Sequence, residues 1–190
     1  MVITQKVVND DLNMLLQSMD SENRPLASAK KAFKLSMVWP MSCVIGYALA
    51  MLWVIYKFKP HNDLFDNATT LTGEYGFALA AVAVSVFFAF IISAILYGPV
   101  LAYLSIEESI RRKSVIISRI KESVLKASAF FFVINVTLAV FSLYKPEFLA
   151  ASPFALMISF LIIQFVLSAQ VARYGISSVM SKLSKLVKKI

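Results

Sequence analysis

Four stretches of this chain, residues 35–56, 75–106, 127–144 and 148–172, contain no Asp, Glu, Lys or Arg. The shortest has 18 residues and the longest 32. A helix rises about 1.5 Å per residue, so about 20 residues cross the ~30 Å hydrocarbon core of a bilayer. Lipid offers no partner to a backbone amide, so a lone span of this kind must be helical. The expected fold is all-α: a polytopic membrane bundle of four transmembrane helices. At 190 residues with 59% hydrophobic content, it is read as one membrane domain.

Charge gives the expected orientation. Sixteen of the 19 Lys and Arg residues lie in segments 1–34, 107–126 and 173–190, and three lie in 57–74 and 145–147. Basic residues in short flanks stay cytoplasmic. Both termini are therefore expected inside, which requires an even number of spans. The net charge of +8 is read as topogenic, and no nucleic-acid binding is expected. The first 34 residues are polar and mixed in charge, unlike a cleavable signal peptide, so 35–56 is expected to direct insertion.

The expected cytoplasmic segments are amphipathic helices. Residues 4–20 carry Val8, Leu12, Leu15 and Met19 on one stripe, with Thr4 as N-cap and Asp10, Asp11 and Asp20 on the opposite face. A second helix is expected from near Leu26 into the first span, with Pro40 kinking it. Gly98-Pro99 interrupts the long second run, which is read as one crossing plus a cytoplasmic extension. Ile106, Ile110, Ile117, Ile120 and Val124 recur through 107–126, which predicts a hairpin turning near Lys113-Ser114. The N-terminal stripe is expected to pack on that hairpin or on the C-terminal helix. Ser152-Pro153 reads as N-cap and N1 of the fourth span. Residues 173–190 form a basic amphipathic helix along Ile176, Val179, Leu183, Leu186 and Ile190. It can lie on the inner leaflet or pack on the hairpin.

The spans hold hydroxyl and carboxamide groups but nothing ionisable, and Asn135 and Gln164 stand out among them. They can serve as interhelical glue or line a path or partner groove. Glu107 and Glu108 lie one turn before Arg111 and Arg112, which predicts helix ion pairs. The dense phenylalanines at 87–90 and 130–132 suit lipid-facing and core packing, or a surface for another membrane helix. Tyr56, Tyr75 and Tyr144 fit an outer aromatic belt, and Tyr103 and Tyr174 an inner one. Asn67-Ala68-Thr69 matches a glycosylation acceptor pattern. Cys43 is the one cysteine and His61 the one histidine, so neither an internal disulfide nor a metal site is expected. No catalysis and no cofactor are expected.

One resemblance is carried by the opening Met1-Val2-Ile3-Thr4-Gln5, the polar N-terminal helix, and Lys30-Lys31-Ala32-Phe33-Lys34-Leu35 at the start of the first span. These residues resemble the TraS entry exclusion proteins of F-like conjugative plasmids. The likeness covers the first ~60 residues, and beyond them it extends to layout. It implies a protein of the recipient's bacterial inner membrane that blocks redundant DNA transfer by recognising the donor mating-pair protein TraG. Specificity residues diverge in that family, so none is transferred. Immunity proteins against pore-forming colicins share the layout, and an accessory subunit of a membrane transport complex is a third reading. Two segments are candidates for partner binding. One is the outside loop 57–74, with Phe58, His61, Asp63, Phe65 and Asp66. The other is the hairpin, with Arg111, Arg112 and Arg119. The bilayer and a protein are the expected partners, and homo-oligomerisation stays open.

Overall fold

The computed structural model describes residues 5–20, 27–62 and 68–174. Within them the chain forms α1 (Gln5–Asp20), α2 (Ala29–Lys57), α3 (Leu71–Leu104), α4 (Glu108–Lys113), α5 (Val115–Ser142) and α6 (Ser152–Arg173). A 3-10 helix, Pro146–Ala151, leads into α6. Beyond the helices, one isolated antiparallel bridge joins Asn62 and Ala68. Among the described residues, four segments are long and apolar enough to cross a membrane: α2, α3, α5, and α6 with its 3-10 lead-in. The protein is therefore all-α and multi-pass.

Helix boundaries follow local chemistry. Ser28 accepts a hydrogen bond from the Lys31 amide (3.4 Å), so α2 starts at Ala29, three residues later than composition suggests. Thr70 does the same for the Gly73 amide (3.1 Å) and starts α3 at Leu71. Both proline interruptions are absorbed: Pro40 lies inside one continuous helix and Pro99 inside another. Ser152 corrects the expected N-cap. Its backbone is already helical (φ −56°, ψ −44°), because the 3-10 helix runs directly into α6. Its hydroxyl is thereby free to bond elsewhere.

The chain divides into two units, to which α2, α3, α5 and α6 each contribute. The first takes α1, α2 up to Ser36, Ala94–Ala127, and α6 from Ile162. Its core is Leu15, Ala102, Ile106 and Ile116, flanked by Val8, Leu12, Leu16, Ile110, Ile117, Ile120, Val171 and Tyr174. The α1 stripe thus packs on the hairpin through Leu15 and Leu16, and Ile116 is buried beside the expected isoleucines. The side chain of Met19, like residues 176–190 of the expected C-terminal helix and Asn67 of the acceptor pattern, lies outside the described residues.

The second unit comprises Met37–Ser93 and Ser128–Leu161. Its core gathers Tyr47, Ala50, Met51, Val54, Ala78, Val82, Ala139 and Leu149. Helices α2 and α5 approach closely at Gly46, where an added Cβ would stand 3.7 Å from Ala139 Cβ. Small residues permit this approach, and in lipid close packing replaces the hydrophobic drive that water would supply. Phe87, Phe90, Phe130, Phe141 and Phe154 face outward, as lipid contact requires.

Polar groups at depth are spent between helices. The Tyr47 hydroxyl donates to Asn135 Oδ1 (2.7 Å), and Asn135 Nδ2 donates to Ser159 Oγ (3.0 Å) and to the Phe131 carbonyl (2.7 Å). That network joins α2, α5 and α6. Trp39 Nε1 donates to the Ser128 carbonyl (3.0 Å), joining α2 to α5 again. Ser85 and Ser152 share a hydrogen bond of 2.8 Å between α3 and α6. Asn135 therefore acts as interhelical glue. Gln164, half-buried, takes no part in the network described.

Candidate functional site

The hairpin is built around a helix start. Ser114 separates α4 from α5 in an extended conformation (φ −66°, ψ 118°). Its Oγ accepts from the Ile117 amide (3.1 Å), a local N-cap for α5. The amide of Ile116 is left over, since the first turn of any helix has amides with no partner inside it. Asp11 of α1 supplies the acceptor. Its Oδ2 takes hydrogen bonds from the Ile116 amide (2.9 Å) and the Ser114 hydroxyl (2.8 Å).

Asp11 is accordingly buried, which corrects its expected place on the solvent face. Helical spacing explains the correction. Asp11 is three residues after Val8 and four before Leu15, so it shares the face of the stripe. Asp10, one position earlier, is exposed. A carboxylate at a helix N-terminus is favoured both by the unpaired amides and by the helix dipole. One side chain thus fixes the register of α1 on the hairpin.

The three hairpin arginines have different surroundings. Arg112 Nη2 lies 2.6 Å from Glu108 Oε1 on the exposed surface, and this bond holds the Glu108 carboxyl below its ordinary range. Arg119 Nη1 lies 3.5 Å from Glu122, which also takes Lys126 Nζ at 2.8 Å. Arg111 departs from the expected i,i+4 pairing. Its guanidinium stands over the Tyr103 ring, 4.9 Å from the centroid. Its Nε is buried with no hydrogen-bond partner, and it forms no ion pair among the described residues. Glu107, its expected partner, accepts instead from the Ser109 hydroxyl.

Phe58 and His61 belong to the second unit. Phe58 meets Tyr75 edge-on, with centroids 6.1 Å apart. His61 is tied to Thr69 by its amide (3.0 Å) and its carbonyl (2.7 Å), and its Nδ1 lies 4.0 Å from Glu74. The Asn62–Ala68 bridge closes the same turn. Asp63, Phe65 and Asp66 lie outside the described residues. Tyr56 and Tyr144 are 79% and 82% exposed, which suits rings placed in an interfacial belt.

A second surface feature of this unit is a groove of about 380 Å³ between α2 and α5, lined by Gly46, Leu49, Trp53, Val136, Val140 and Leu143 among others. It is almost wholly apolar and carries no group that would select one partner. Sequence reasoning missed Asp11, Ser114, and Tyr103 as a platform for Arg111. The signal for Asp11 was its place on the stripe. For Ser114 it was a hydroxyl residue immediately before an apolar periodic run. Comparison with family models, with curated proteins and with solved structures finds no match.

Proposed function

We propose that this protein is a recognition protein of the bacterial inner membrane that blocks redundant conjugative DNA transfer, with both termini in the cytoplasm. Its partner is a donor mating-pair protein of the TraG kind, and the hairpin of the first unit is the recognising surface. One observation carries this reading. Asp11 locks α1 onto the start of α5, so the hairpin is buttressed and shows Arg112 and Arg119 on an ordered face. A blocker that discriminates near-identical partners needs such pre-organisation, because ordering flexible groups on binding costs affinity. The TraS-like opening sequence and the 16-to-3 distribution of basic residues support the same reading. No catalytic role, cofactor or nucleic-acid partner is proposed.

The test is expression of the protein alone in a recipient strain, scored for acceptance of F-like plasmids. Acceptance of one cognate plasmid should fall, with viability and unrelated plasmids unaffected. Exchange of residues 107–126 with those of a differently specific exclusion protein should move the specificity. If specificity instead follows 57–74, the outside loop is the recognising surface. Survival of a pore-forming colicin without exclusion would assign the protein to the immunity class. Neither effect, together with fixed co-purifying subunits, would identify an accessory subunit.

A further inference from the structure

Arg111 is a cation that the fold positions and leaves unmatched. Its Nε is buried without a partner, its guanidinium stands over the Tyr103 ring, and no carboxylate among the described residues pairs with it. A buried N–H without a partner is a cost that most proteins avoid. The other N–H groups of the fork remain for an anion, and a planar fork suits two phosphate oxygens at once.

Depth identifies the anion. Lys31 lies four residues before the charge-free run that begins at Leu35, so it sits about 6 Å beyond the hydrocarbon edge, within the headgroup layer. Arg111 lies five residues beyond the charge-free run that ends at Ile106 and belongs to the same unit as Lys31, which places the start of α4 near the same edge. Tyrosine, the residue beneath the guanidinium, is enriched at that depth. The Glu108 carboxylate accepts from Arg112 at 2.6 and 3.1 Å, and Glu107 accepts from the Ser109 hydroxyl. Arg111 and Lys31 are left as net positive charge facing a headgroup layer. All of these residues belong to the first unit.

We propose that Arg111, held over the Tyr103 ring and supported by Lys31 at the same membrane edge, binds the phosphodiester of an anionic phospholipid. The inference does not rest on the exclusion reading and stands or falls separately from it. It also separates the two neighbouring arginines: Arg111 faces lipid, and Arg112 faces water and the proposed partner.

Purified full-length protein in a zwitterionic detergent–lipid mixture, titrated with phosphatidylglycerol or with phosphatidylcholine, provides the test by native mass spectrometry. Phosphatidylglycerol should be retained about fivefold to thirtyfold more than phosphatidylcholine, the size expected for one or two basic residues at a membrane surface. Arg111→Gln should bring retention down to the phosphatidylcholine level. Arg111→Lys should keep part of it, and Lys121→Gln, an exposed hairpin change, should keep all of it. If Arg111→Gln proves unstable, Lys31→Gln and Tyr103→Leu carry the same prediction of reduced preference. Equal retention of both lipids by the wild type, or an unchanged preference in Arg111→Gln, would overturn the proposal. So would displacement of the lipid by inorganic phosphate at equal concentration, since the site would then be one for a free anion.

Discussion

Replacing Asp11 with Ala tests the contact on which the first unit is organised. The substitution removes an acceptor for two hydrogen bonds, of 2.8 Å to Ser114 Oγ and 2.9 Å to the Ile116 amide. Hydrogen bonds to a charged group are worth about 1.5–3 kcal/mol each, and an abandoned buried N–H costs about 1–3 kcal/mol. The loss is partly offset, because the Ser114 hydroxyl is free to rotate to another acceptor. The favourable charge–dipole term at the α5 N-terminus, up to about 2 kcal/mol in partly buried settings, is lost as well. These terms overlap, and a net weakening of α1 docking by about 3 kcal/mol follows. At 1.4 kcal/mol per factor of ten, undocked α1 should become on the order of a hundredfold more populated. Amide hydrogen exchange of residues 5–18 in nanodiscs reads that population directly, since local opening governs protection. Protection there should fall by a similar factor, while the amides of α2 within the second unit stay as they were. Asp11→Asn keeps an acceptor without the charge and should fall between. Asp10→Ala, one residue away and exposed, is the control. Equal effects of Asp10→Ala and Asp11→Ala would show that α1 is held by its apolar stripe and general charge, and not by a specific lock at Asp11.

Three further outcomes are expected. Asn135→Leu removes two interhelical hydrogen bonds, each worth roughly 0.6–2 kcal/mol in a membrane, and should lower the thermal midpoint in detergent more than Tyr47→Phe, which removes one. A double-mutant cycle between positions 47 and 135 that shows no coupling would contradict the network. Gly46→Ala should be neutral or stabilising by up to about 1 kcal/mol through helix propensity, since its Cβ meets Ala139 at an ordinary 3.7 Å; a marked loss of stability would mean that α2 and α5 sit closer than described. In intact cells a thiol reagent confined to the outside should label Asn67→Cys and spare Gln17→Cys, with the native Cys43 silent because it is buried; labelling at position 17 would reverse the proposed orientation.

The number of spans was legible in the sequence because insertion into hydrocarbon depends on local composition. Each charge-free run reports its own transfer free energy, whatever the rest of the chain does. The α1 stripe, the hairpin turn near Ser114 and the interhelical use of Asn135 were legible for a related reason, since periodicity and cap chemistry act over a few residues. Other features were decided between segments far apart in the chain. Asp11 read as a surface acid until a helix start 105 residues away supplied its donor. Ser152 read as a cap until α3, 67 residues away, brought Ser85 within 2.8 Å. Arg111 read as one half of an ion pair until the end of α3 placed Tyr103 beneath it. A polar side chain takes whichever satisfied partner is nearest in space, so its role follows from packing that the spacing of residues along the chain does not encode.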